Sequence, residues 1–229
     1  MQFVKIIVII LLTLLGIYIT RFELIGILNY LKSIPLHIYI LLGCLVSIRD
    51  IKTWICEMPS EYFYTYLKKK KDIKRFYIII DILLLLTICI LMNFVVASII
   101  GTPDPSQMRS LNTNKKILSS LYEILLLFFD LMLVALSEEV ARSIILNGLV
   151  KYISKSASVL ITILLFGFAH GPTYLTSDAD FTSYLKIALN IGGIALPLTL
   201  YFLRFRNLRA PIWAHCFYDL WVAFKAALN

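Results

Sequence analysis

Apolar residues along this chain run in long blocks, and the polar positions fall mainly between them. Residues 3–19 (FVKIIVIILLTLLGIYI) form the first block and 34–48 the second. Residues 76–100, 118–150, 157–169, 183–203 and 211–227 follow. A stretch of about 20 apolar residues spans roughly 30 Å of hydrocarbon as a helix. The pattern therefore predicts an all-α polytopic transmembrane helical bundle of about seven spans. The block 3–19 has the length of a retained span and no small-residue cleavage site after it, unlike a signal peptide. Residues 22–33 are amphipathic, and 157–169 is short for a span, ending at His170-Gly171-Pro172.

Composition agrees. Of 229 residues, 60% are hydrophobic and 16% charged; soluble domains run near 45–50% and 25%. Such a chain has too little polar surface for water. The net charge of +8 could suggest nucleic acid, but the Lys and Arg sit in the gaps between apolar blocks. That placement predicts membrane orientation and no nucleic-acid partner. Eight of them lie in 49–75, interleaved with Tyr62, Phe63, Tyr64 and Tyr66, a loop suited to an anionic leaflet. The connections 150–157 and 204–209 are also basic, whereas 171–182 has Asp178 and Asp180 and no Lys or Arg. Expected, then, is a multi-pass cell-membrane protein with the N-terminus and the basic loops cytoplasmic, and membrane lipids as partners. Cys44, Cys56, Cys89 and Cys216 form no CxxC pair and read as small buried hydrophobes. No internal repeat is visible, and 1–229 reads as one membrane domain, its spans up to 117 preceding a core at 118–226.

Ionisable side chains inside spans are costly and mark functional candidates. Here they are Asp81, Glu123, Asp130, Glu138, Glu139, Arg142, His170, His215 and Asp219. Glu138 and Arg142 are four apart and share a helix face, which predicts an ion pair between them. Glu139, about 100° away, is expected to need other partners. His170 ends a short helix. His215 and Asp219 are again four apart, so the carboxylate can fix the imidazole's tautomer. From the cytoplasmic helix ends, His215 lies roughly 10 Å deep, Glu138 roughly 16–18 Å and His170 roughly 20 Å. These depths are compatible with one cavity. A carboxylate there can act as general base on water, and a histidine can donate to an oxyanion. Two histidines and a carboxylate could instead hold a metal, although the one-helix HExxH spacing is absent.

Three segments, in order, resemble the CAAX-protease and bacteriocin-processing family (CPBP, or Abi). Phe166 to His170 matches its FxxxH motif, and His215 to Asp219 its HxxxN/D motif. The flanks FGFAHG and LRAPIWAH are similar too. The family's first motif is a Glu pair, three residues, then Arg; here Arg142 follows Glu138-Glu139 after two. Aligning the Glu pair puts Ser143 in the Arg place. Aligning Arg142 puts Ser137 and Glu138 in the Glu places. The resemblance, over about 118–226, implies an intramembrane endopeptidase acting on membrane-bound or lipidated proteins or peptides, with bacterial relatives linked to bacteriocin maturation or self-immunity. It implies Glu138, Glu139, Arg142, His170, His215 and Asp219 as site residues. The family has been described as metalloproteases and as glutamate-type enzymes, so two readings stand: Zn2+ held by Glu138, His170 and His215, or no metal. A catalytically inactive relative acting as membrane regulator or immunity protein is the alternative, and a proton-coupled transporter using Asp81, Glu123 and Asp130 is a third.

Overall fold

The computed structural model describes residues 73–103, 105–108, 121–176 and 178–228. The expected spans at 3–19 and 34–48, the amphipathic stretch 22–33 and nearly all of the basic loop 49–75 lie outside the described residues. Five α-helices are described: α1 Ile73–Ile100, α2 Leu121–Leu149, α3 Lys155–Tyr174, α4 Phe181–Phe205 and α5 Arg209–Leu228. There is no strand among the described residues.

Two of the helices are long and apolar enough to cross a membrane, Tyr77–Ile100 and Phe181–Phe205, with mean hydropathies of 2.8 and 1.5. The helices α2 and α5 carry the charged residues of the core, and those lower their hydropathy. Every helix turns apolar side chains outward: Leu83, Phe129, Leu160, Leu200 and Val222 are all exposed. Lipid, not water, suits that belt.

The helix α1 buries Tyr77, Asp81, Leu85 and Cys89, one residue every four, and turns Ile79, Leu83 and Leu91 outward. Its inner face packs on α4 and α5. There Leu85, Cys89, Leu198, Tyr201, Ala214 and Tyr218 form an apolar cluster. A second cluster joins α2 to its neighbours through Val140, Ile144, Leu146, Val159, Phe202 and Ile212.

The closest packing is between α3 and α4. A Cβ on Gly167 would stand 2.0 Å from the Ala188 carbonyl oxygen, and one on Gly192 would stand 2.9 Å from that of Ile163. Small residues let two backbones approach this closely where lipid supplies no hydrophobic drive between helices. Gly167 is three residues before His170, so this crossing sets where the imidazole stands. Pro197 lies inside α4 and lacks the N–H its turn would use. The Gly193 carbonyl thus loses its helical donor, and one residue on, Ile194 O accepts from Cys89 Sγ at 3.5 Å.

Helix ends are closed by side chains. Ser154 caps α3 by accepting from Ala157 N, and Asp180 caps α4 by accepting from Ser183 N at 2.7 Å. That hydrogen bond holds the exposed Asp180 carboxyl below its ordinary 3.8. Arg206 ends α4 with φ 52, the one left-handed non-glycine among the described residues. The connections sort into two ends. At one, Thr176 N donates to Gln107 O at 2.9 Å and Lys186 Nζ to Thr102 O at 3.2 Å. At the other, Arg206 Nη1 donates to Asn147 Oδ1 at 2.9 Å.

Two expectations need correction. The helix α3 does not stop at His170-Gly171-Pro172; it continues to Tyr174, and Leu175 N closes on Gly171 O at 2.9 Å. Proline's fixed φ is helical, so in a last turn it costs one hydrogen bond without breaking the helix. Asp130, read as a buried span residue, lies exposed on the outer face of α2.

Candidate active site

Three helices bring the polar residues together. From α2 come Glu138, Glu139 and Arg142, spaced within one turn. From α3 come Phe166, His170 and Tyr174, spaced by four and so on one face. From α5 come His215 and Asp219, also four apart. The glutamates and Arg142 are buried, Glu139 completely. All six residues picked out in the sequence meet here.

The pairing is not the one the spacing predicted. Arg142 does not take Glu138; its Nη2 donates to Glu139 Oε2. Positions three apart also share a helix face, and the long guanidinium stem reaches either carboxylate. What decides is the far side. Glu138 faces two imidazoles: His170 Nε2 lies 3.3 Å from its Oε1 and His215 Nε2 3.6 Å from its Oε2. Glu139, expected to lack Arg142, instead has it together with His215.

Both histidines are held from behind. His170 Nδ1 lies 2.7 Å from the Phe166 carbonyl oxygen. A carbonyl only accepts, so Nδ1 carries a proton there. His215 Nδ1 lies 2.8 Å from Glu139 Oε1. The expectation that Asp219 fixes the His215 tautomer is therefore revised. Asp219 Oδ2 stands 3.4 Å from the other nitrogen, Nε2, and Glu139 is the closer partner. Both rings thus turn Nε2 toward Glu138.

Aromatic rings support the arrangement. The Phe166 ring centroid is 4.5 Å from that of His170 and 6.4 Å from that of His215. Arg142 Cζ lies 5.1 Å from the Phe166 centroid on its face, a cation–π contact. Tyr174 stacks on His170 at 6.4 Å. Sequence reading missed Phe166 as a support and Tyr174 altogether, although aromatics one turn either side of a span histidine are a usable signal.

Other ionisable residues do not join the site. Asp81 is buried between α1 and α4, where its Oδ2 accepts from Tyr201 Oη at 2.7 Å. Asp130 faces outward, and the Glu123 side chain lies outside the described residues. The donor types would suit Zn2+, but they pair off: His170 takes one Glu138 oxygen and His215 the other. Among the described residues no group of three or more His, Cys, Asp or Glu is placed to hold a metal ion. The arrangement does not fit a resident metal.

No curated protein and no solved structure matches the chain. Residues 120–221 match the family model described as Type II CAAX prenyl endopeptidase Rce1-like. That segment starts one residue before α2 and ends within α5, two residues past Asp219, so it contains every residue of the polar cluster. The family is membrane-embedded, in keeping with the two long apolar helices. Over this segment the chain is similar to the CAAX protease family.

Proposed function

We propose that this protein is an intramembrane endopeptidase that hydrolyses peptide bonds of membrane-associated or lipidated proteins or peptides. The observation that carries this reading is Glu138 lying between two imidazoles from separate helices, 3.3 Å from His170 and 3.6 Å from His215. A single ion pair needs no such convergence.

The chemistry follows from the partners. Glu139 is engaged by Arg142 and His215, which leaves Glu138, faced only by imidazole nitrogens, as the carboxylate to take a proton from water. The water oxygen bonds to the scissile carbonyl carbon while its proton passes to Glu138. An imidazolium donates from Nε2 to the oxyanion; His215, with carboxylates near both nitrogens, is the ring suited to that form, and His170 orients the water. Glu138 then gives its proton to the departing amide nitrogen as the C–N bond breaks. Products are a carboxylic acid and an amine. Arg142 and Glu139 hold the His215 ring, and Asp219 balances its far side.

The altered spacing of the first motif motivates the second reading, an inactive relative serving as membrane regulator or immunity protein. The contact between Arg142 and Glu139 weighs against it, because the shorter spacing still lets the guanidinium reach the second glutamate. Bacteriocin maturation or self-immunity is the biological setting that the resemblance suggests. Orientation is proposed from charge: the Asn147–Arg206 end, carrying Lys151, Lys155, Arg204 and Arg209, faces the cytoplasm.

The test is cleavage of membrane-anchored peptides by the full chain reconstituted in lipid. His170→Ala should keep the helical circular-dichroism spectrum and lose cleavage. A variant that cleaves at the wild-type rate refutes the assignment.

A further inference from the structure

The Asn147–Arg206 end of the bundle is strongly charged and takes no part in the site. Lys151, Lys155, Arg204 and Arg206 are all exposed there. No Asp or Glu occurs in 147–161 or 200–213. Among the described residues acidic side chains lie elsewhere: in the site, on the outer face of α2, buried at Asp81 against Tyr201, or at the opposite end with Asp178 and Asp180. We propose that this end is a docking surface for the phosphate headgroups of anionic lipids.

Three observations favour a lipid over a soluble acidic partner. First, the basic groups stand directly over the apolar belt. Arg204 is one turn beyond the exposed Leu200 on the same face of α4, and Leu160 and Ile161 are exposed one to two turns into α3. A bilayer surface presents phosphate at that level. Second, Tyr152 and Ile153 lie between Lys151 and Lys155 in the short α2–α3 connection and are 54% and 37% exposed. An aromatic and an aliphatic side chain flanked by lysines fit the headgroup–acyl boundary. Third, the surface is built rather than loose. Arg206 holds a left-handed backbone, donates to Asn147 and covers the Phe202 ring at 5.6 Å. Its guanidinium is thereby fixed at the junction of α2 and α4, and Nη1 is the nitrogen that bonds Asn147.

The full chain, purified in an uncharged detergent, is titrated with phosphatidylglycerol, with phosphatidylcholine of the same acyl chains, or with inorganic phosphate. The thermal midpoint is read at low and high salt. Phosphatidylglycerol should raise it at low salt, the other two should not, and salt should reduce the rise. In Lys151→Gln/Lys155→Gln/Arg204→Gln/Arg206→Gln, the lipid concentration giving half the rise should increase about fivefold per charge removed. Should that variant fail to fold, Lys151→Gln/Lys155→Gln changes only exposed side chains and should show the two-charge effect. An unchanged phosphatidylglycerol response in the variants overturns the proposal and places the lipid contact elsewhere, as on 49–75. A response reproduced by phosphatidylcholine or by inorganic phosphate also overturns it.

Discussion

His215 is gripped by Glu139, with Nδ1 2.8 Å from Oε1, and shows its other nitrogen to Glu138 at 3.6 Å. Two neighbouring carboxylates therefore have different tasks. Glu139 is completely buried and anchored twice, whereas Glu138 is paired only with imidazole nitrogens. Glu138→Gln should lower the cleavage rate by about 100- to 10,000-fold, the usual contribution of a general base. Glu139→Gln keeps an oxygen that can accept from His215 Nδ1 but loses the charge facing Arg142. Its effect should be smaller and should include a changed pH–rate profile, since His215 then has a neutral partner. Equal losses in the two variants, with identical profiles, would erase the division of labour.

Metal dependence follows from the same geometry. The imidazoles take separate oxygens of Glu138, and no three donors among the described residues close on one point. Cleavage by the reconstituted protein should survive prolonged treatment with 1,10-phenanthroline and dialysis into metal-free buffer. Loss of activity, restored by added Zn2+, would mean that the side chains rearrange around an ion.

Much of this site was legible because each of its polar residues is expensive in a span and falls in a short motif. The glutamate pair, His170 and the His215–Asp219 pair could be picked out before any coordinates. Which carboxylate meets which cation could not. Positions three and four apart both lie on one helix face, so Arg142 had two equally good partners in the sequence. The fold settles it: Arg142 meets Glu139, and the His170 imidazole arriving from α3 meets Glu138. The end of α3 was misjudged for a related reason: Gly-Pro reads as a stop, yet proline's φ suits a helix and one hydrogen bond is a small loss in a last turn. Of the described helices read as spans, α1 and α4 are long and apolar enough to cross a membrane, while α2 and α5 carry the very charges that build the site.

Gly167 offers a test of how the site is positioned. A methyl group there meets the Ala188 carbonyl at 2.0 Å, a backbone atom that cannot rotate away. Gly167→Ala must separate α3 from α4 and carry His170 with it. Overpacking of this kind costs about 1–3 kcal/mol, occasionally more. Expected are a lowered thermal midpoint in detergent and loss of cleavage even where the variant still folds. Gly101→Ala is the contrasting case: its Cβ has room, with Lys186 Nζ 4.0 Å away, and its cost is the φ of 78 alone. It should leave the site untouched. Wild-type activity in Gly167→Ala would show that the helices tolerate the separation.

Asp81 and Tyr201 bear on the transporter reading. Asp81 is almost fully buried, its Oδ2 accepts from Tyr201 Oη at 2.7 Å, and its Oδ1 has no hydrogen-bond partner. Its partner stands on α4, whereas the imidazoles facing Glu138 stand on α3 and α5. If it is an interhelical bond between α1 and α4, removing one partner is worse than removing both. Tyr201→Phe strands a buried carboxyl group and should destabilise by about 1–3 kcal/mol. Asp81→Leu/Tyr201→Phe replaces both polar groups by apolar ones and should recover most of that loss. Thermal midpoints of the two variants, each against wild type, give the comparison, and cleavage should persist in the double variant. A proton carrier behaves in the opposite way: the double variant would fold and yet abolish proton uptake by proteoliposomes. Uptake by the wild type that disappears in the stable double variant would make Asp81 a transport residue rather than a tie between helices.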